Sequence, residues 1–406
     1  MNTMNQTRRS FIKTTLKAGV FASFAGHAPG LLARTAAARQ ERDTVLVVLQ
    51  LSGGNDGLNT VIPFGDDAYH RGRPTLRQVA RGAHKLDSHL AFHPRMEGFH
   101  RLYRDGLLTI VQGVGYANAD RNHPGAMHNW HTADPRSPKL QTGWLGRAAD
   151  RLWKPDAANV PAMFVGAIPQ PFAANAEQVV VPSVRSPREL VSQYPPPAGR
   201  DVPSGSNPSW LDSLRRCTAQ VQANNRRIES AMSASTRNDY PQFQLAQELR
   251  TIAQLIRADL GIRIFFTELG GGNIGGFDNH AGQLGNHCSL LHQLSESVAA
   301  FIRDLQRDQL HERLLLMSFS EFGRTVRENG RRGTDHGVAA PVFLAGGGLK
   351  GGLCGAHPSL TDLDKDGLKF HTDFRRIYAT ALDRWLGLDS RSVLGASFAP
   401  LDLFNA

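Results

Sequence analysis

Cysteine is scarce in this chain of 406 residues. The three present, Cys217, Cys288 and Cys354, are widely separated, and none belongs to a CxxC pair. An odd and scattered set does not form a disulfide framework, and it lacks the paired spacing of a cysteine-rich zinc site. At most one disulfide bridge is expected.

Long apolar runs and basic clusters are also missing. After residue 38 no segment approaches about 18 uninterrupted apolar residues, so the sequence predicts no membrane-spanning helix. No run of basic residues is interleaved with aromatic residues, so nucleic acid is not an expected partner. The glycine-rich residues 52–57, SGGNDG, lack the GxGxxG pattern and the lysine of a phosphate loop.

Residues 1–38 have the pattern of a twin-arginine signal peptide. Residues 7–13, TRRSFIK, contain the arginine pair, a weakly apolar stretch follows at 18–33, and residues 36–38, AAA, suit a signal peptidase. A basic disordered tail is the alternative. Export by the twin-arginine translocase predicts a periplasmic or secreted protein. Removal of the segment takes away five basic residues and no acid, which lowers the formal charge from +10 to +5.

The remaining residues, 39–406, are interpreted as a single α/β domain. Apolar runs at 43–51, 107–114, 262–269 and 314–319 are short and continuous, which is typical of strands covered on both faces. They predict a doubly wound, mostly parallel sheet with helices on both faces. Residues 181–240 are interpreted as an excursion from this sheet, and disorder is the alternative. The excursion contains a proline-rich loop at 195–209, with the sequence PPPAGRDVPSGSNPS.

Polar side chains follow each of these predicted strands. They are Asp56 after the first run, Asn122 and His123 after the second, Asp278 and His280 after the third, and Glu321, Arg324, Asp335 and His336 after the last. Each group alone is compatible with an ordinary loop, and the histidines near the second run are equally compatible with a packed helix face. Because ligands bind beyond the carboxyl ends of strands in such sheets, the groups together predict a site with one or two metal ions. Such a site polarises an ester of phosphate or sulfate.

Several longer motifs resemble one family. They are LQLSGGNDGLNTVIP, HNWHTADP, TGWLGR, FDNHAGQ, SEFGRTVRENGRRGTDHG and TDFRRIYATALDRWLG. Together they resemble the uncharacterised exported family called domain of unknown function 1501, from about Thr44 to near the C-terminus. That family looks related to the alkaline phosphatase and sulfatase superfamily. The resemblance implies an alkaline phosphatase-like fold and a divalent metal, zinc first, with calcium, magnesium or manganese as alternatives.

The resemblance also implies a set of metal ligands. Carried over by motif, they are Asp56, Asp278, His280, Asp335, His336 and, as the last histidine, His371. The candidate catalytic residues are Asn122, Glu321 and Arg324, of which Arg324 is expected to pair with the substrate anion.

One position departs from the family pattern. The family usually has Arg-Ser-His-Phe before the helix, whereas this chain has Arg121-Asn122-His123-Pro124. An amide cannot form the covalent intermediate that a serine or threonine hydroxyl forms. Direct attack by water, a different hydroxyl such as that of Ser52, and loss of hydrolase activity all stay open.

Two functions follow from these observations. The first is a metal-dependent periplasmic hydrolase of phosphate or sulfate esters, which would act on an anionic small molecule or polymer. The second is a catalytically inert binding or accessory protein that keeps the same fold and holds a partner or polymer. The predicted ligands favour the first function, and Asn122 favours the second.

Overall fold

The computed structural model describes residues 44–154, 160–167, 169–190, 225–233, 239–271 and 276–405. The predicted signal peptide, the proline-rich residues 195–209 and Cys217 lie outside these residues. Within the described residues, no helix is long and apolar enough to cross a membrane.

The strands carry the core of the fold. In chain order they are β1 Val45–Leu51, β2 Val61–Ile62, β3 His84–Lys85, β4 Ala91–Phe92, β5 Leu108–Gly115, β6 Ala162–Val165, β7 Ser183–Val184, β8 Ile264–Leu269, β9 Leu314–Phe319, β10 Ala340–Gly346, β11 Gly352–Cys354, β12 Leu363–Asp364, β13 Gly367–Leu368 and β14 Thr372–Asp373. The labelled α-helices are α1 Asp67–Gly72, α2 Glu97–Arg104, α3 His123–Thr132, α4 Trp144–Leu152, α5 Gln244–Ala258, α6 Gln283–Gln306, α7 Phe374–Thr380 and α8 Ser390–Leu394.

The main sheet contains nine strands in the order β11-β5-β10-β9-β1-β8-β6-β7, with β14 also paired to β5. Strand β1 lies at its centre and runs parallel to both β8 and β9. Among the strands that the structure describes in this sheet, only β10 runs the other way, since it pairs antiparallel with β5 and β9. The prediction of a mostly parallel sheet is therefore confirmed.

The two faces of the sheet are covered by different helices. Along β1, Val45, Val47 and Leu49 pack into a core with residues of α2, α5 and α6. The alternate residues Leu46 and Val48 pack into a second core with residues of α3, α4 and α7. Because side chains alternate between the faces of a strand, a strand that is apolar throughout needs cover on both sides. The predicted doubly wound arrangement is confirmed.

The predicted excursion at 181–240 is only partly described. Its first residues include β7, which pairs in parallel with β6 at the edge of the main sheet. Residues 225–233 are helical, and Ile228 and Ala231 pack into the core that contains α5 and α6. These described parts belong to the body of the domain.

Candidate metal centre

Three histidines and one aspartate converge at one edge of the sheet. Oδ1 of Asp278 lies 3.3 Å from Nε2 of His123, 2.9 Å from Nε2 of His280 and 3.2 Å from Nε2 of His336. The Nε2 atoms of His280 and His336 are 2.9 Å apart. We call these four residues the His/Asp cluster.

The order of the strands explains this convergence. His123 opens α3, shortly after β5, and Pro124 occupies the first turn of that helix. Asp278 and His280 follow β8, while His336 lies in the loop between β9 and β10. Strands β5, β8 and β9 point in one direction, so their carboxyl ends share one edge. The three loops meet there, as ligand-binding loops do in open α/β sheets.

A close contact between the β1 and β8 loops helps to form this edge. Gly53 has φ +110, and a Cβ added to it would lie 2.6 Å from the backbone nitrogen of Phe277. Glycine is required here for two reasons. A side chain would clash with the backbone of Phe277, and a positive φ favours glycine. The contact holds the loop that carries Asp278 against the end of β1.

Each histidine of the cluster is oriented through its other ring nitrogen. Nδ1 of His123 is 2.8 Å from Oε1 of Glu321, and Nδ1 of His280 is 3.1 Å from Oδ1 of Asp335. Nδ1 of His336 lies 2.6 Å from the carbonyl oxygen of Arg121. These oxygens accept, so each Nδ1 is the donor, and in the neutral ring each Nε2 then carries the lone pair that a metal ion would bind. Metal-bound histidines are oriented in this way.

Three members of the cluster, His123, Asp278 and His336, fit a divalent metal ion. The ligand atoms of His123, Asp278 and His336 lie within 4.8 Å of one another. Tetrahedral zinc bonds of about 2.0 to 2.1 Å place neighbouring ligand atoms about 3.3 Å apart, close to the spacings seen here. Nε2 of His123 is buried and has no hydrogen-bond partner. A lone pair left unsatisfied in this position is expected of a metal ligand.

The electrostatics of Asp278 and His336 suit metal binding. Burial opposes ionisation of Asp278, but the hydrogen bond and charge of Arg324 outweigh it and hold the pKa of this carboxyl at about 2. Burial lowers the pKa of His336, which favours its neutral form. The hydrogen bond from His123 to Glu321 raises the pKa of His123 in the absence of a metal. Asp278 is therefore a carboxylate throughout the neutral range.

Arg324, the predicted anion partner, is buried and makes five hydrogen bonds to protein oxygens. Nε donates to the carbonyl of Gly54 at 2.6 Å, and Nη1 donates to that of Thr334 at 3.1 Å. Nη2 donates to the carbonyls of Gly53 and Phe277 and to Oδ1 of Asp278. The guanidinium thus joins the loops after β1, β8 and β9.

Asp56 is buried and takes part in a different interaction. Its Oδ2 accepts from Nη1 of Arg73 at 2.5 Å and from Nε2 of Gln283. Burial opposes its ionisation, but the charge and hydrogen bond of Arg73 lower the pKa of Asp56 below its ordinary value. Arg73 also donates to Asn59 and to the carbonyls of Thr325 and Val326. The structure gives Asp56 a guanidinium as its counter-ion and does not bring it into the His/Asp cluster.

The other predicted residues lie around the cluster or away from it. Asp335 and Glu321 contact the outer nitrogens of His280 and His123. Nε2 of His371 lies 2.8 Å from the carbonyl of Ala356, and its Nδ1 lies 3.0 Å from Oγ1 of Thr372. Both ring nitrogens of His371 are thus engaged with residues outside the cluster. Asn122 is exposed at the N-cap of α3, and its side chain makes no capping bond.

His123 was among the polar residues predicted to follow the second strand, but it is absent from the ligand set that the family resemblance implies. The histidines near the second predicted strand, which are His123, His128 and His131, were also compatible with a packed helix face, and that description fits His131. His131 is buried, bonds to Gln50 at 2.6 Å, and burial lowers its pKa to about 3. Only His123 lies at the start of α3, next to the end of β5. Its position immediately before the first-turn proline was the available signal.

These observations define the class of this protein. It is an α/β protein with a histidine-rich site at the carboxyl ends of its strands. A family model described as protein of unknown function (DUF1501) matches residues 43–398, and the chain belongs to this family. No curated protein matches the chain.

Several solved structures are similar to this chain at low sequence identity. The PsFucS1 sulfatase from Pseudoalteromonas sp. is 11% identical, with 94% of this chain and 75% of that chain covered and a TM-score of 0.37. The lipoteichoic acid synthase LtaP from Listeria monocytogenes is 9% identical, with 81% and 73% covered and a TM-score of 0.36. The C-terminal periplasmic domain of EcEptC from Escherichia coli, solved in complex with Zn, is 12% identical, with 76% and 75% covered and a TM-score of 0.34.

Proposed function

We propose that this protein binds one divalent metal ion at the His/Asp cluster and hydrolyses phosphate or sulfate esters there. The observation that carries the proposal is the convergence of three Nε2 atoms on Oδ1 of Asp278, with each Nδ1 bonded outwards to an oxygen. Bound divalent metal supplies Lewis-acid polarisation of an ester oxygen and offsets charge that develops on it.

The donor set favours particular metals. Three imidazole nitrogens and one carboxylate oxygen suit zinc first and manganese as an alternative. Calcium and magnesium prefer oxygen ligands, so among the metals implied by the resemblance we rank them lower. Asp278, the one anionic member of the cluster, supplies a single negative charge, which leaves a bound divalent ion with a net positive charge towards an anionic substrate.

The ligand set that we propose differs from the one implied by the family resemblance. His123 is added, and Glu321 and Asp335 act by orienting His123 and His280. Asp56 serves as the partner of Arg73, which already balances its charge. With Asp56 engaged in this way, the proposal is for a single ion in each chain.

The chain's own residues prepare this site for an ester. Arg324 holds Asp278 ionised and fixed, and the three outer acceptors hold the imidazole rings. Side chains of Asp278 and Asp335 are 43% and 58% exposed, so the site is open to solvent and admits a substrate group. The exposed amide of Asn122, next to His123, can orient a substrate oxygen but cannot form a covalent intermediate. The proposed reaction is therefore direct attack by water.

A binding or accessory role is the second candidate. The observation that favours it is Asn122 at the position where the family usually has serine. Such a protein would keep the His/Asp cluster and bind an anionic group without turning it over. We propose a periplasmic or secreted location for either function, on the evidence of the twin-arginine motif.

Metal analysis of the exported protein tests this proposal. We expect about one zinc or manganese ion per chain, and we expect His336→Ala and His123→Ala to lose it. His371→Ala is the matched control, since that histidine bonds to Ala356 and Thr372 instead. Hydrolysis of aryl phosphates and sulfates by the loaded protein separates the two functions. A protein without metal, or one that loses metal only in His371→Ala, would overturn the proposed centre.

A further inference from the structure

The turn at residues 329–333 is tied directly to the His/Asp cluster. Nδ2 of Asn329 donates to the carbonyl of His280 and to Oδ1 of Asp335, both at 3.1 Å. Oδ1 of Asn329 accepts from the backbone nitrogens of Arg331 at 3.0 Å and Gly333 at 3.2 Å. One amide therefore links the loop that carries His280 to a turn that presents two arginines.

The backbone of those arginines is fixed from the other side as well. The carbonyls of Arg331 and Arg332 accept from the backbone nitrogens of Gly282 and Gln283, each at 3.0 Å, where α6 begins. Arg332 has φ 60, a left-handed conformation that is uncommon outside glycine. Bonds on both sides of the turn hold it in place, so the arginines project from a defined position.

Both guanidinium groups are available to a ligand. Arg331 and Arg332 are exposed, and in the described part of the chain neither side chain has a hydrogen-bond or ion-pair partner. Arg331 is connected to Asp335, the residue that orients His280, through Asn329, whose side chain bonds to the backbone nitrogen of Arg331 and to Oδ1 of Asp335. The buried Arg324 has no comparable freedom, because it is bonded to five protein oxygens.

We propose that Arg331 and Arg332 form a second anion-binding subsite beside the metal centre, for a substrate that carries more than one sulfate or phosphate group. The inference rests on the proposed function, because it assigns one ester group to the His/Asp cluster and a neighbouring group to the arginines. Guanidinium groups match the geometry of sulfate and phosphate oxygens through paired hydrogen bonds. A fixed turn also lowers the ordering cost of binding.

Polymer binding tests this subsite without relying on turnover. The full chain, loaded with zinc, is titrated at physiological salt with labelled dextran sulfate, with polyphosphate and with uncharged dextran. We expect binding to the charged polymers only, and about tenfold weaker binding by Arg331→Ala/Arg332→Ala with unchanged zinc content. The two charged probes show whether sulfate or phosphate is preferred. Arg331→Lys/Arg332→Lys keeps the charge but not the paired donors, so it should recover only part of the affinity.

The control removes the same charge elsewhere. Arg81→Ala/Arg104→Ala changes two other exposed arginines, which follow the 3-10 helix Leu76–Ala80 and end α2, and should change affinity less than about twofold. Equal losses in both double variants, or no loss in the first, would overturn the subsite. A chain that binds no zinc but still needs Arg331 and Arg332 for polymer binding would instead overturn the proposed metal centre and leave the subsite standing.

Discussion

Nδ1 of His123 donates to Oε1 of Glu321 across 2.8 Å, and this bond turns Nε2 of His123 towards Asp278. Glu321 is 2% exposed, and the same oxygen also accepts from the backbone nitrogen of Gly53 at 2.9 Å. The carboxylate therefore fixes both the histidine ring and the loop after β1. Glu321 lies two residues after the end of β9, so it belongs to this edge of the sheet.

Replacing Glu321 should weaken metal binding without removing a ligand. We expect Glu321→Ala to lower zinc affinity by about 10- to 100-fold, because the ring of His123 loses its orienting acceptor. Glu321→Gln keeps an oxygen acceptor and should lose less. Competition against a fluorescent chelator measures the affinities. Zinc affinity equal to that of the parent in Glu321→Ala would show that this bond does not support the centre.

The pH dependence of stability should report Asp278. Its pKa of about 2 in the folded protein is below the ordinary value of 3.8 for an aspartate, so the folded state binds fewer protons. Its stabilisation is therefore present above the unfolded pKa and is lost as the pH falls through the folded one. In metal-free protein, the stability difference between the parent and Asp278→Asn should shrink from pH 5 to pH 2. Denaturant titrations at several pH values measure it, and a difference that grows on acidification would contradict the assignment.

The strands that could be predicted from the sequence are those formed by continuous apolar runs. The apolar run at 314–319 coincides with β9, and those at 43–51, 107–114 and 262–269 contain β1, most of β5 and β8. Strands buried on both faces are apolar throughout, which makes them visible. Strand β10 was not among the predicted strands, and its antiparallel direction could not have been predicted either, because an apolar run carries no signal for direction. It depends on where the loop after β9 returns to the sheet.

The site was predictable in location but not in its details. Asp278, His280 and His336 were predicted because they follow predicted strands. The role of each residue, however, depends on contacts across the fold. Asp335 and Glu321 were expected as ligand and catalytic residue, yet they contact the outer nitrogens of two histidines. Likewise, the pairing of Asp56 with Arg73 depends on the path of the chain between β1 and the end of α1. The spacing of residues in the motifs does not indicate this path.

The Asp56–Arg73 ion pair should contribute to stability and not to metal content. Arg73 is fully buried and Asp56 nearly so, and removing one member leaves the other charge uncompensated. We expect Asp56→Asn to lower the free energy of unfolding by about 3 to 5 kcal/mol while metal content stays at one ion per chain. Asp56→Asn/Arg73→Met should be less destabilised than Asp56→Asn alone. Two ions in the parent, with one lost in Asp56→Asn, would identify Asp56 as a ligand.

Export can be tested independently of the site. If residues 7–13 form a twin-arginine signal, Arg8→Lys/Arg9→Lys should leave the precursor in the cytoplasm. Cell fractionation followed by immunoblotting measures the distribution. Lys13→Arg is a suitable control, since it keeps the charge and the arginine pair. Unchanged recovery of the double variant from the periplasm would remove the basis for the proposed location.

Asn122 offers the most direct test of chemistry at this site. It lies at the N-cap of α3, immediately before His123, and its amide cannot act as a covalent nucleophile. We expect the metal-loaded parent to hydrolyse aryl phosphates or sulfates slowly. Asn122→Ser places a hydroxyl at this helix start and should raise the rate measurably, because a covalent intermediate divides one difficult step into two easier ones.

The comparison requires equal metal content in the parent, Asn122→Ser and Asn122→Ala. Asn122→Ala lacks both the amide and the hydroxyl, so it should not gain the activity of Asn122→Ser. Single-turnover measurements with an excess of protein can detect a covalent phosphoryl or sulfuryl group on the serine variant. A parent that already hydrolyses these esters rapidly, and loses nothing in Asn122→Ala, would show that this helix start is not where the nucleophile belongs. Ser52 would then be the next residue to replace, as an alternative source of the nucleophilic hydroxyl. It follows β1 directly and lies at the same sheet edge.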